Sequence, residues 1–386
     1  MSYADQGLRT RLTVTLSVSD RERLRAKALE LGFVRAGVAA ATDAETFGFL
    51  ESWLDAGMHG EMGYMARRRE ARKHPKSLLK NVRSVWMVAW DSSHGHQSGG
   101  DADSKEGRIG RYAWGLDYHV DLKARLRLLA AWCHDQWPKM RTRGVVDTAP
   151  LLERDFARRA GLGWIGKNTL LIDPQKGSHL LLAGFLTSET FEDDKPFSLD
   201  HCGTCTACLD ACPTGALLGP RRLDARLCIS YLTIETKGPL PADDTLRQQM
   251  GNWLLGCDIC QDVCPWNKKA ARMPLSLLNK ALPTIQEPLI RSVDPFWLLE
   301  ASSKEIQNLV AGRAWERTGE SGLRRNAVIV LVHLAKQTKV PDGEVEMASR
   351  LEKVLNAWIE SNDCAVSEAA QWGIKQLRGL GGLAKA

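Results

Sequence analysis

Eight of the chain's ten cysteines fall between positions 202 and 264, at spacings that bind metal. Cys202, Cys205, Cys208 and Cys212, followed by Pro213, form C-x2-C-x2-C-x3-C-P. Cys257, Cys260 and Cys264, followed by Pro265, repeat that run with Leu254 where its first cysteine would stand. Cys228, between the two runs, can supply the missing ligand. Thiolates so spaced hold iron–sulfur clusters, and in two-cluster proteins the cysteine before proline ligates the other cluster. The expected sets are Cys202, Cys205, Cys208 and Cys264 for one 4Fe–4S cluster, and Cys212, Cys228, Cys257 and Cys260 for the second. Runs of four, one and three do not divide into two tetrahedral zinc knuckles, and disulfides suit small secreted chains rather than this one. The implied chemistry is one-electron transfer in two steps.

The rest of the chain must position that relay and give it something to reduce. At 386 residues, 44% hydrophobic and 25% charged, it is long enough for two or three domains and globular in composition. A net charge of +6 is compatible with a polyanionic partner without requiring one. No apolar run approaches the roughly 20 residues of a membrane helix, and Arg9 and Arg11 are followed by no apolar leader. A cysteine-rich metal centre needs a reducing compartment, so the expected location is the cytoplasm. Cys133 and Cys364 remain over and read as buried small hydrophobes within helices.

Taken in order, the residues to about Val18 read as a loose arm. A helix capped by Ser19 or Asp20 runs to Leu31 and closes at Gly32. Phe33 to Val38 and Ser84 to Trp90 read as strands, Ala44 to Leu54 as a helix, and Met62 to Pro75 as a basic segment carrying Arg72. Residues 93 to 107 form a polar loop in which His94 and His96 are expected to face solvent rather than a metal. A helix covers His119 to Trp137, with Leu122, Leu126, Leu129 and Cys133 on one face. The apolar Val145 and Val146 read as a strand end ahead of Asp147, a short helix follows from Leu151 to Ala160, and Asn168 to Ile172 and His179 to Thr187 read as strands. The intervening Gly161-Leu-Gly-Trp-Ile-Gly166 is no phosphate loop: it leads from helix to strand, and Lys167 is followed by Asn168.

These patterns predict an α+β fold of three parts: a mixed α/β catalytic domain over 1–195, a ferredoxin-like two-cluster domain over 196–300 and a helical domain over 301–386. The last carries helical periodicity at Leu323, Ala327, Leu331 and Leu334, at Met347, Leu351, Val354, Leu355 and Trp358, and at Val366, Ala370, Gly373 and Leu377. Helices paired in this way resemble HEAT-like repeats, too few to stand without the body.

With these motifs assembled, the chain resembles the epoxyqueuosine reductases, cobalamin-dependent enzymes that complete queuosine at the tRNA wobble position. The resemblance is carried by Asp147-Thr-Ala-Pro-Leu-Leu-Glu-Arg154, by Ala160 to Asn168, by Arg111-Tyr-Ala-Trp-Gly-Leu-Asp-Tyr-His119, by Leu223 to Glu235 and by the cysteines. It implies a cobalamin between catalytic domain and clusters, a tRNA substrate, an external donor such as flavodoxin or ferredoxin, and a monomer. It implies Asp147 as the proton donor, with burial beside the corrin raising its pKa. Residue type alone also allows Asp147 to be a helix N-cap. Arg154 is implied at the substrate pocket, Arg72 near the corrin, Lys167 and Asn168 at cofactor amides or tRNA phosphate, and Ser230, Tyr231 and Lys237 at tRNA. Two rival functions share the cysteines. One is a corrinoid reductase of a small molecule, like the reductive dehalogenases; the other is an electron-transfer module that docks a separate enzyme.

Overall fold

The computed structural model describes residues 15–94, 106–270, 289–337 and 344–378, with the side chains of 344–348 left aside. The N-terminal arm, most of the polar loop including His96, and Met347 as a core position lie outside the described residues. The first part is built on a four-stranded antiparallel sheet, ordered Arg35–Ala40, Ser84–Asp91, Leu180–Thr187 and Thr142–Val146. The strand Ser84–Asp91 is apolar almost throughout because both its faces are covered. Trp86 and Val88 point to one side, Val85, Met87 and Ala89 to the other, as the pleat requires. Over the Trp86 side lie helices Val18–Glu30 and Tyr118–Gln136, packing through Leu24, Ala28, Leu122, Leu126, Leu129 and Cys133. Over the other lie Phe47–Asp55 and Glu153–Arg159, with Phe47, Phe156 and Ala157 buried.

Local chemistry shifts several expected boundaries. Ser17, not Ser19 or Asp20, caps the first helix: its hydroxyl accepts from the Asp20 amide at 3.1 Å, and the Asp20 carboxylate accepts in turn from the Ser17 amide at 3.2 Å. This is a capping box, so Asp20 serves three residues inside the helix rather than before it. The glycine-rich stretch is structural. A Cβ on Gly163 would stand 2.1 Å from the carbonyl oxygen of Ile172, so only glycine lets strands Trp164–Ile165 and Leu171–Ile172 pair.

A second core gathers the remainder. Residues Trp253–Leu255, Gly107–Ile109 and Ser292–Val293 form a three-stranded sheet. Ile109, Trp114, Leu232, Leu254, Trp315 and Leu323 share one apolar cluster. Segment 107–114 therefore leaves the first sheet and enters the core of the cysteine region and the C-terminal helices. Helix Gly319–Gln337 is pinned there by buried Asn326, whose amide donates to the carbonyls of Thr233 and Leu254 at 2.9 Å each. Helices Glu344–Ile359 and Cys364–Arg378 pack on it, burying Leu351, Leu355, Val366, Ala370 and Leu377. Cys133 is buried as expected, its thiol pushed up to about 12 by burial. Cys364 is not buried: it opens the last helix and is exposed.

Candidate active site and cysteine centres

The two cysteine runs fold alike. Thr206 and Asp258 precede the short helices Ala207–Asp210 and Ile259–Asp262 with nearly the same backbone angles, φ −121° with ψ 5° and φ −112° with ψ 7°. Ala211 and Val263 end those helices at identical angles, φ −80° and ψ −12°. Neighbouring cysteines come from both runs. Cys202, Cys205, Cys208 and Cys264 together line a cavity of about 200 Å³. Cys228 lies close enough to Cys212, Cys257 and Cys260 to interact with them electrostatically, and Cys260 also feels Cys208 of the first set. All ten cysteines are unbridged. Among the described residues no three or more His, Cys, Asp or Glu side chains close on a single ion. The first cavity is walled by aromatics: Trp164 packs against Phe197, His201 and Trp266, and its indole N–H points at Cys202 Sγ, 3.4 Å away.

In the first part of the fold, the strand Thr142–Val146 packs against helix Tyr118–Gln136. Asp147 follows the strand with φ +46°, in the left-handed region that disfavours a side-chain-bearing residue. Its carboxylate accepts from the Tyr118 hydroxyl at 3.2 Å and stands 3.4 Å from His119 Nε2. That separation suits an ion pair, but Nε2 lacks the alignment of a full hydrogen bond. The other ring nitrogen of His119, Nδ1, is 2.7 Å from Asp117. Glu153, at the start of the next helix, accepts from the Asp147 amide at 2.8 Å.

Asp147 is no helix cap, since the helix begins at Glu153 and Leu152 occupies the cap position. By area the Asp147 side chain is exposed. Chiefly through His119, its carboxyl lies below the usual range. Burial opposes the charged form of His119, but Asp147 and Asp117 outweigh it and raise the imidazole. Glu153 is the carboxyl that burial does raise, to about 8, with the charge of Asp147 adding to the effect. Asp147 thus sits between an imidazole whose pKa is raised and a carboxyl raised to about 8.

Arg72 is buried at the same cleft, its pKa lowered by burial, and its Nε finds no hydrogen-bond partner among the described residues. Arg154 is exposed by area, and its guanidinium donates to the Thr169 carbonyl at 2.6 Å. Tyr64 and Arg317 complete the rim: the guanidinium lies 5.2 Å from the ring centre and pairs with Glu235 at 2.6 Å. Tyr64, Tyr118, His119, Glu153 and Arg317 are the site residues that sequence reading missed. Tyr118 and His119 were signalled by Asp117-Tyr-His119, which lies within a segment that carried the resemblance.

The other expected site residues lie elsewhere. Lys167 turns to the first cysteine loop, its ammonium donating to the carbonyls of Gly203 at 2.7 Å and Cys205 at 2.9 Å. Asn168 approaches the second, 3.5 Å from the Cys260 carbonyl. Both are held by the cysteine loops rather than facing the cleft of Asp147. Tyr231 is buried and its hydroxyl accepts from the Glu61 amide at 2.7 Å, so it cannot reach a nucleic acid. Ser230 is half-buried beside it, whereas Lys237 is exposed, with its ammonium on the carbonyls of Ile234 and Arg317. His94 packs on Trp114, with Nε2 3.2 Å from the Arg111 carbonyl, and so is half-buried rather than free in solvent.

A paired-cysteine relay beside an acid–base cleft defines an iron–sulfur oxidoreductase. Residues 201–267 match the family model for a 4Fe-4S double cluster binding domain, and residues 72–148 match that of epoxyqueuosine reductase QueG, DUF1730. The epoxyqueuosine reductase of Cyclobacterium marinum is 38% identical over 307 residues, covering 78% of this chain and 93% of its own. A crystal structure of an epoxyqueuosine reductase with an epoxyqueuosine-modified tRNA-Tyr stem loop superposes at a TM-score of 0.75, with 31% identity and 93% and 99% of the two chains covered. The Bacillus subtilis enzyme, caught with its catalytic aspartate loop swung out of the active site, gives 0.73 at 30% identity, with the same coverage. The chain belongs to the epoxyqueuosine reductase family.

Proposed function

We infer that this chain reduces epoxyqueuosine to queuosine in the wobble position of tRNA. The epoxide takes up two electrons and two protons, its carbon–oxygen bonds break, an alkene forms and the oxygen leaves as water. The observation that carries the reading is Asp147 set between Tyr118 and His119, in a family member whose cysteines form two centres. Cys202, Cys205, Cys208 and Cys264 are assigned to one 4Fe–4S cluster and Cys212, Cys228, Cys257 and Cys260 to the other, an arrangement supported by the shared cavity of the first four and by the closeness of Cys228 to Cys212 and Cys257.

A cobalamin fits the cleft by one test this structure offers. The buried, unpartnered Nε of Arg72 is a donor awaiting an acceptor, and corrin side-chain amides are acceptors. Arg72 would hold the corrin edge, with Arg154 and Asp147 facing the substrate. When bound, cobalamin supplies low-valent cobalt, the electron source for the epoxide carbon. The protein's own part is to hold the base against that face and deliver protons to the leaving oxygen. Asp147 is the proton donor at the oxygen, recharged from the His119 imidazolium, which gives a low-pKa carboxylate its supply. Lys237 is the tRNA contact best placed of the three expected. Residues 1–195, apart from segment 107–114 that joins the second core, are assigned to catalysis, 196–300 to electron supply and 301–386 to HEAT-like helical support of a monomer. An external flavodoxin or ferredoxin provides the electrons. Among the described residues no helix is long and apolar enough to cross a membrane.

The test is anaerobic incubation of the cluster- and cobalamin-loaded protein with reduced flavodoxin and an epoxyqueuosine-bearing stem loop. Nucleoside analysis should show queuosine. Equal conversion of the free nucleoside would instead favour a small-molecule reductase.

A further inference from the structure

The two cysteine centres differ in how they meet solvent. Of the eight cysteines in the runs, Cys205 alone is exposed. It belongs to the cavity lined also by Cys202, Cys208 and Cys264, whose remaining lining includes Lys167, His201 and Lys269 and holds no carboxylate. Lys268 and Lys269, both exposed, end the short helix that Cys264 begins. Apolar surface flanks this charge. Leu199, two residues before His201, is 65% exposed, and Arg221 ties Asp200 at 2.6 Å to the hairpin that exposes Leu218.

We propose that the mouth of this cavity is the docking surface for a small acidic one-electron carrier protein, with Lys268 and Lys269 facing its carboxylates and Leu199 its apolar rim. The proposal rests on the assignment of a cluster to these four cysteines. Electron transfer demands close approach, and Cys205 brings the cluster edge to the surface here. Transient redox encounters use small interfaces, in which complementary charge steers the approach and little apolar area is buried. Each docking event oxidises the carrier by one electron and reduces the cluster by one, so two events serve each epoxide. Lys167 is part of the cluster loop itself, because its ammonium is committed to the carbonyls of Gly203 and Cys205. The test therefore leaves it intact.

The anaerobic, cluster-loaded protein is mixed with reduced bacterial flavodoxin, and cluster bleaching is followed by stopped flow. The uncharged photogenerated 5-deazaflavin radical serves as a reductant that needs no docking. The Lys268→Glu/Lys269→Glu variant should be reduced by flavodoxin at least about ten-fold more slowly at low salt. The gap should narrow as salt rises, with deazaflavin reduction unchanged. Leu199→Asp should slow flavodoxin in the same way. Flavodoxin rates equal in wild type and both variants, with normal deazaflavin reduction, overturn the docking surface alone. A wild-type protein with no iron that the deazaflavin radical can reduce overturns the cluster assignment, and the proposal with it.

Discussion

Asp147 and His119 stand 3.4 Å apart, Oδ2 to Nε2, while the opposite nitrogen of His119 is 2.7 Å from Asp117. The imidazole between two carboxylates is raised and the Asp147 carboxyl lowered, so a proton shared by the pair goes to histidine before aspartate. A carboxylic acid kept protonated by burial would be poised by itself. Here the donor needs its neighbour. His119→Gln should therefore lose epoxide reduction by roughly ten- to a hundred-fold, within the usual span for a proton-transfer partner. Its acid limb should shift, and iron content should be unchanged. Near-normal turnover with an unshifted pH profile would remove His119 from the proton path.

Glu153 gives a stability signature independent of catalysis. Its carboxyl is raised from 4.5 to about 8 in the folded chain, so between those values the folded state binds more protons than the unfolded one. Its contribution is full below about pH 4.5 and is lost as pH rises through about 8. Glu153→Gln stays neutral throughout. The melting temperature of wild type relative to this variant should fall steadily from about pH 5 to about pH 8, and a flat difference would contradict the raised carboxyl.

The cysteine assignment separates by single substitution. Cys228→Ala should remove one cluster and leave the other, and Cys264→Ala should remove the opposite one. Iron analysis with paramagnetic resonance of the reduced proteins checks this. If both substitutions abolish the same signal, the crossed arrangement is wrong.

Lys237 and Tyr231, six residues apart, should behave differently. Lys237→Ala should weaken stem-loop binding and lower the salt slope by about one, as loss of one phosphate contact does. Tyr231→Phe should leave binding alone and cost about 1 kcal/mol of stability, since its hydroxyl only satisfies the Glu61 amide. Measuring affinity against salt, and unfolding, separates the two.

The cysteine centres were legible in the sequence because ligand spacing is a local property that the metal enforces on any backbone. The strand ahead of Asp147 was legible from local pattern too, in the apolar pair Val145 and Val146 and the Thr148-Ala-Pro150 turn beyond it. The proton pair was not. Tyr118 and His119 meet Asp147 only when helix Tyr118–Gln136 packs across the sheet edge, and it is chiefly His119 that lowers the Asp147 carboxyl. Tyr231 was misread because adjacency to Cys228 says nothing of which way a helical turn faces; here it faces the core. Lys167 and Asn168 were expected at cofactor amides or tRNA phosphate, and spacing alone did not show that the turn after Gly166 also sets them against the cysteine loops.

The central claim is that Asp147 delivers the proton to the departing epoxide oxygen. Single-turnover reduction of an epoxyqueuosine stem loop by protein carrying chemically reduced cobalamin tests it most directly, because the electron relay is bypassed. Asp147→Asn keeps the side-chain size, the Tyr118 contact and the tolerance for positive φ. The account expects this variant to bind cobalamin and hold both clusters, yet reduce the epoxide about 10² to 10⁴ times more slowly. Reduction within a few-fold of wild type would contradict it.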